Sequence, residues 1–348
     1  MKETEQIFIM SISSLSKYAL GAVAAAGILA GCSNGGQTGG MGASGVTPAA
    51  GHGLSTSVAH NGILHAISGP SRVSPDKKAK GEFAYISDSG TNTIYVYDYS
   101  SKTGSFGSEV GSTTTSLSEP QGACSHKKDA WVTNTSDSNV LEFVNGSTTS
   151  SGSLSISGEY PVGCSVDKKG DIAVSDIITT ADGAGNVEIF KGGKGTPTSV
   201  TCPNLEKYYF ISYDTKGNIW VDGTATLSST GIGLCEIPKG ATSGTAISLS
   251  AVPGFPGGVT VAGKDIDILD QDAATIDQYT VSGTTGTEVG TVTLSGVTDP
   301  VQDWQAGKFV LTANAASASA TSFAYPAGGS AVSTVSGLTE PIGVSVSK

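Results

Sequence analysis

Over residues 83–348 the chain alternates short apolar runs with clusters of Gly, Ser, Thr, Asn and Asp. That pattern predicts many short strands joined by tight turns rather than helices. One set of runs ends in Asp or Asn: Tyr85-Ile-Ser-Asp88, Trp131-Val-Thr-Asn134, Ala173-Val-Ser-Asp176, Ile219-Trp-Val-Asp222, Ile268-Leu-Asp270 and Val310-Leu-Thr-Ala-Asn314. A second set follows and mostly closes on an aromatic: Ile94-Tyr-Val-Tyr97, Val140-Leu-Glu-Phe143, Val187-Glu-Ile-Phe190, Ile276-Asp-Gln-Tyr279 and Phe323-Ala-Tyr325. The fourth copy has Leu234-Cys-Glu-Ile237 instead. A weaker Ser/Thr/Val strand then returns to the next copy, as in Val289-Gly-Thr-Val-Thr-Leu294.

Each copy opens on a first strand entered by an acid-Pro or a Pro-x-Gly. Pro120 and Pro161 lie 41 residues apart, as do Pro300 and Pro341. Four short strands fit that period, and six Asp/Asn termini give six copies. The final Glu340-Pro-Ile-Gly-Val-Ser-Val-Ser-Lys348 has the form of a first strand with nothing after it, whereas Tyr85-Ile-Ser-Asp88 is a second strand with no good first strand before it. The expected fold is therefore all-β, a six-bladed β-propeller over residues 81–348 closed by the C-terminal strand. The competing source of that strand is Pro70-Ser-Arg-Val-Ser-Pro75.

Composition agrees with this picture: 48 glycines, 14% charged residues and an excess of acid that sets the net charge at −11. A nucleic-acid partner has no electrostatic footprint here. The N-terminus adds an address. Lys2 and Lys17 precede the apolar run Tyr18-Ala-Leu-Gly-Ala-Val-Ala-Ala-Ala-Gly-Ile-Leu-Ala30, which is too short to span a bilayer and suits a signal peptide. Met10 is the alternative start to Met1. Leu29-Ala30-Gly31-Cys32 resembles the lipobox of bacterial lipoproteins. That resemblance implies a signal peptide over residues 1–31, lipidation of Cys32 and membrane attachment through the lipid. With Ser33 and Asn34 following the cysteine, it implies the outer membrane. Residues 32–80 then read as the lipidated cysteine and a flexible Gly/Ser/Thr-rich tether.

Val166-Asp-Lys-Lys-Gly-Asp-Ile-Ala-Val-Ser-Asp176 and Tyr213-Asp-Thr-Lys-Gly-Asn-Ile-Trp-Val-Asp222 resemble the repeats of NHL-type and streptogramin-lyase-like propellers. That resemblance implies the fold and leaves the function open, because these propellers host enzymes and binding proteins alike. In gluconolactonase-like propellers, acids and amides at the inner-strand entries hold a metal. Here the residues after the entry prolines are Gln121, Val162, Gly257, Val301 and Ile342, with Asp303 the single acid near an inner-strand start. Streptogramin lyases use histidine, but His52, His60 and His65 fall in the tether and His126 sits at a lysine-flanked hairpin. No catalytic residues are assigned. The expected function is a non-enzymatic binding or scaffold module, the alternative a propeller lyase or lactonase with a divergent site.

Two consecutive-strand rules sharpen the expectations. Strands in a blade run antiparallel, so loops between strands two and three share a face with the entries to strand one. That face collects acids, and its candidate ligand rim is Glu119, Glu159, Glu206, Asp299, Asp303 and Glu340, suited to a protein, a glycan or a cationic ligand. No cofactor is expected, a divalent cation at the acidic face being the one exception admitted. Lysines collect on the opposite face, predicted to turn toward an anionic membrane surface. Asp88, Asn134, Asp176, Asp222, Asp270 and Asn314 are expected to cap the turns after their strands. Trp131, Trp220 and Trp304 are expected to pack between blades. Cys124, Cys164, Cys202 and Cys235 allow three pairings. Cys124 lies one position out of register with Cys164, so their side chains take opposite strand faces and meet across neighbouring blades. Cys202 and Cys235 are then left flanking the fourth blade, and buried free thiols are the alternative to either bridge.

Overall fold

The computed structural model of the chain describes residues 81–348. The signal segment, Cys32, the tether and residues 70–75 lie outside the described residues. Strands β1 (Glu82–Asp88), β2 (Thr93–Ser100) and β3 (Ser105–Thr113) begin the first blade. The second is β4 (Pro120–His126), β5 (Asp129–Asn134), β6 (Asn139–Val144) and β7 (Ser150–Ser155). The third is β8 (Glu159–Val166), β9 (Ile172–Thr179), β10 (Ala184–Phe190) and β11 (Thr198–Val200). The fourth is β12 (Lys207–Tyr213), β13 (Ile219–Thr224), β14 (Ile232–Ile237) and β15 (Thr245–Leu249). The fifth is β16 (Pro256–Ala262), β17 (Asp265–Asp270), β18 (Thr275–Ser282) and β19 (Thr285–Ser295), joined to the fourth by a short parallel pairing of β15 with β19. The sixth is β20 (Pro300–Ala306), β21 (Phe309–Asn314), β22 (Ser319–Ala324) and β24 (Ser333–Ser336), while β23 (Gly329–Ser330) pairs with β19.

The ring closes through β25 (Pro341–Ser347), which runs antiparallel to β1 from Phe83↔Ser347 to Asp88↔Pro341. The chain is a β-propeller, with the C-terminal strand innermost in the first blade. Strand alternation drives the assembly, because each blade offers apolar side chains to both neighbours. Phe83 and Tyr85 pack with Ala123, Val132 and Phe143 of the second blade. Ala84 and Ile86 pack with Leu311 and Ala313 of the sixth.

The Pro-x-Gly motif has a packing reason. Inner strands converge on the axis, and a Cβ on Gly122 would stand 2.3 Å from the Val162 carbonyl oxygen, one on Gly343 2.2 Å from that of Gln121. Only a residue without a side chain lets the backbones meet. Cys124 is bridged to Cys164 between adjacent inner strands (Cα–Cα 5.6 Å), and Cys202 to Cys235 (Cα–Cα 6.3 Å).

The strand-ending Asp and Asn side chains differ from the expected turn caps. Asp88 accepts the backbone N–H groups of Thr339 (2.7 Å) and Glu340 (3.0 Å), and Asn134 accepts that of Ser118 (2.6 Å). These bonds tie the second strand to the loop entering the first, and neither side chain caps the 3-10 turn that follows it. Asp270 does both, holding Gly254 N at 2.7 Å and Asp272 N at 2.9 Å. Asn314 holds the next strand through Ser319 O at 3.2 Å. Asp222 is no cap. Trp220, two residues before it on the same strand face, packs toward the fifth blade, so Asp222 points that way as well and takes Phe210 N at 2.8 Å. Its motif is one residue short between Gly217 and the acid compared with Gly170 and Asp176, which turns the side chain to the other face. Asp176 has no partner at all.

Candidate functional site

The two ends of the axis are chemically different. At the entry face, Val162, Val301 and Ile342 follow their prolines and pack with Tyr209 and Phe255 in one cluster. Apolar side chains thus predominate at this end of the axis, with the buried Gln121 of the second blade after its own proline. Toward the opposite end, where strands one and two are joined, a cavity of about 270 Å³ opens between β8, β12, β16 and β20. A second cavity of about 480 Å³ adjoins it between the fourth and fifth blades, sharing Val261 as a wall and floored by Trp220 and Ile266.

Gln302 decides why the axial cavity is one-sided. It stands where other inner strands carry Gly122, Gly163, Gly258 and Gly343. Its Oε1 accepts the N–H groups of Ala123 (2.9 Å) and Val344 (3.1 Å), and its Nε2 donates to Ala123 O (2.9 Å). One amide therefore ties three inner strands together and fills that half of the axis.

The next residue, Asp303, stands where the repeats otherwise place Ala123, Cys164, Val259 and Val344. It lines the cavity at 4% exposure. Thr260 Oγ1 donates to its Oδ2 at 3.1 Å, while Oδ1 has no hydrogen bond. Gly258 makes the room, since a Cβ there would meet Oδ1 at 2.2 Å. Burial, and then the neighbouring Asp267, push the Asp303 carboxyl up to about 7. Asp267 is also raised by burial, though Tyr325 Oη, Gln305 Nε2 (3.1 Å) and Gln278 Nε2 (3.4 Å) all donate to it. Asp222 is raised well above its ordinary value by burial, and Asp303 adds to this. The cavity wall carries the Asp303 carboxyl, amides, hydroxyls and the rings of Trp304 and Tyr213, a lining suited to a small polar guest.

The structure redistributes the predicted rim. Asp303 leaves it for the channel interior, because it is the fourth residue of an inner strand. Glu119 accepts Ser136 Oγ at 2.5 Å and Glu206 accepts Leu227 N at 2.8 Å, so both serve their own loops. Glu159 turns inward beside Asn186. Asp299 and Glu340 stay at the entry face, half-buried. The charge sorting itself holds. Of 13 described lysines, 12 lie on the face where strands one and two are joined, and Lys207 lies at the entry face, where it donates to Ser229 Oγ at 2.9 Å. Trp131 and Trp220 pack between blades as expected, and so does Trp304, which is half-buried, packs against clusters of the neighbouring blades and borders the axial cavity. Among the described residues no group of three or more His, Cys, Asp or Glu is arranged to hold a metal. Sequence reasoning did not single out Gln302, Asp267 or Tyr325. The available signal was the departure of the Gln302-Asp303 pair from the Gly-apolar pattern of the other inner strands.

Fold and site together define a β-propeller with a polar axial pocket. No protein-family model and no curated protein matches the chain. Solved structures do. A propeller from a nidogen/laminin complex superposes with TM-score 0.59 at 13% identity, over 77% of this chain and 99% of that one. A Bacteroides caccae protein of unknown function gives TM-score 0.58 at 12% identity, over 77% and 100%. A streptogramin B lyase superposes more loosely, with TM-score 0.45 at 13% identity over 72% of each chain. At these identities the likeness is one of fold.

Proposed function

We propose that the protein is a lipid-anchored, extracytoplasmic binding module that takes a small polar ligand into the axial cavity. The observation that carries this reading is Asp303, a buried carboxyl set in the wall of an open polar cavity, with one oxygen unpaired against Gly258. A buried carboxyl is costly, and a guest bearing amine or hydroxyl donors at the cavity wall offsets part of that cost. Amino sugars and small amines fit this chemistry. The nidogen/laminin complex contains a chain of the same architecture.

The test is thermal shift and calorimetry of the full-length chain against amino sugars, neutral sugars and polyamines. One class should stabilise the wild type saturably and Asp303→Ala far less. A response that survives in Asp303→Ala defeats the reading. Anchoring is tested separately: Cys32→Ala should move the protein from the membrane pellet to the soluble fraction, and unchanged partitioning refutes the anchor.

A second reading, a lyase or lactonase, is favoured by one observation. A carboxyl titrating about pH 7 is poised to move a proton at neutral pH. Turnover of a lactone probe that follows ionisation near pH 7 and vanishes in Asp303→Asn would establish it. The lysines of the face where strands one and two are joined, with Lys77, Lys78 and Lys80 preceding the first blade in the sequence, supply the reason to expect that face toward an anionic surface. Each contributes up to ~1 kcal/mol, screened beyond about 8–10 Å. Anionic vesicles should bind weakly and salt-sensitively, and reversal of Lys127, Lys128, Lys168 and Lys169 to Glu should abolish the binding. Equal binding to neutral vesicles removes the orientation.

A further inference from the structure

Three companion blades show what the third one lacks. In the first and fifth, the strand-ending carboxylate is satisfied by backbone N–H groups of the two residues before the entry proline. In the second, Asn134 takes one such N–H from Ser118. Asp176 is fully buried, yet neither of its oxygens has a hydrogen bond. The entry has changed there: Glu159 is drawn into strand pairing with Thr179, and the register slips twice before Gly163.

Other unsatisfied oxygens gather at the same place. Asn186 stands directly opposite Asp176 on β10, and its Nδ2 donates to Glu159 Oε1 at 3.1 Å. Asn186 Oδ1 and Glu159 Oε2 are both buried with no partner. Four oxygens of three side chains therefore lack a donor, and Asn186 is itself only 8% exposed. Alternation places Asp176 and Asn186 on the strand faces turned to the second blade, with Val174 and Phe190. Burial first, then Glu159 and Glu188, raises Asp176, and burial raises Glu159 and Glu188 as well. Among the described residues no side-chain cation is shown pairing with this cluster. All described lysines but Lys207 sit on the opposite face, and Lys207 is held by Ser229 in another blade.

We propose that Asp176, Glu159 and Asn186 form a site for a hard divalent cation, calcium in chemical class, at the interface of the second and third blades. The donors are all oxygen, the set that suits calcium, and water completes a shell of six to eight ligands. Glu188 strengthens the negative field without ligating. The ion replaces the two N–H groups that satisfy the equivalent carboxylates elsewhere, and so pins the entry loop of β8 to β9 and β10. Carboxylates must be deprotonated to bind, so affinity falls with decreasing pH. With three protein ligands, Kd should be about 10⁻⁴–10⁻³ M, the range of extracellular calcium modules.

The test is calcium titration of the full-length chain by calorimetry and by thermal melts, against sodium at matched ionic strength. Wild type should bind one calcium and gain about 3–10 °C in Tm at saturating ion. Asp176→Asn should lose both responses, yet in chelator melt no lower than wild type, because it removes a buried charge without changing shape. Glu159→Gln, a second variant, should weaken binding at least tenfold. An equal Tm gain in Asp176→Asn, or none in wild type, overturns the proposal. Neither result touches the axial cavity, whose Asp303 variants are read with other probes.

Discussion

Replacing Asp303 by Asn tests whether this carboxyl is held neutral by the fold. In the folded chain it titrates about 7, against 3.8 for the free side chain, so the folded state binds more protons than the unfolded state between those values. Stability at Asp303 is therefore fully present below pH ~4 and declines as pH rises to ~7. Three pH units at ~1.4 kcal/mol each bound the loss at about 4 kcal/mol, and water entering the cavity brings it nearer 2–4. Asn has the same shape, keeps an oxygen for Thr260 and carries no charge. Asp303→Asn should match wild type near pH 4 and exceed it above pH 8 by about 5–15 °C in Tm. Circular-dichroism melts of both proteins across that range give the answer. Asp176 and Asp222 also shape the wild-type curve, so the difference between the two proteins is the readout. Parallel curves would show that Asp303 ionises freely and refute the reasoning.

Deleting residues 340–348 removes Ile342, Val344 and Val346, all at most 3% exposed. At about 1.5–3 kcal/mol each this approaches a whole domain's stability, so the truncated chain should aggregate or melt far lower; an unchanged monomeric melt refutes closure. Gly343→Ala should cost about 3 kcal/mol in denaturant unfolding, because its Cβ meets backbone atoms of the second blade as well as the Ser87 hydroxyl; a loss under about 0.5 kcal/mol would show the inner strands have room. Breaking Cys202–Cys235 with a double Ser substitution opens a loop of 33 residues and should lower stability by about 3–4 kcal/mol. A melt that reductant does not shift in wild type would count against the bridge.

The chain's own pattern was enough for the architecture. Period-2 alternation, Pro-x-Gly entries and a 41-residue spacing are local signals, and each repeat must bury its faces against a copy of itself. The orphan first strand at Glu340 and the orphan second strand at Tyr85 name each other as partners for the same reason. The one-residue offset of Cys124 from Cys164 was also legible, since strand faces alternate strictly. The functional end of the axis was not. Acids counted along the chain point to the entry face, but that end carries Val162, Tyr209, Val301 and Ile342, and the open end lies among the lysines. Whether a carboxyl is a solvated rim group or a buried one depends on neighbours from other blades: Gly258 leaves space for Asp303, and Gln302 closes the half of the axis beside it. Asp88 and Asp176 occupy the same place in the repeat. One is satisfied by its entry loop and the other is bare, and only there does the entry acid, Glu159, pair with the second strand, at Thr179, with two register shifts before Gly163. Register is a property of two strands at once, so only the assembled ring could decide it.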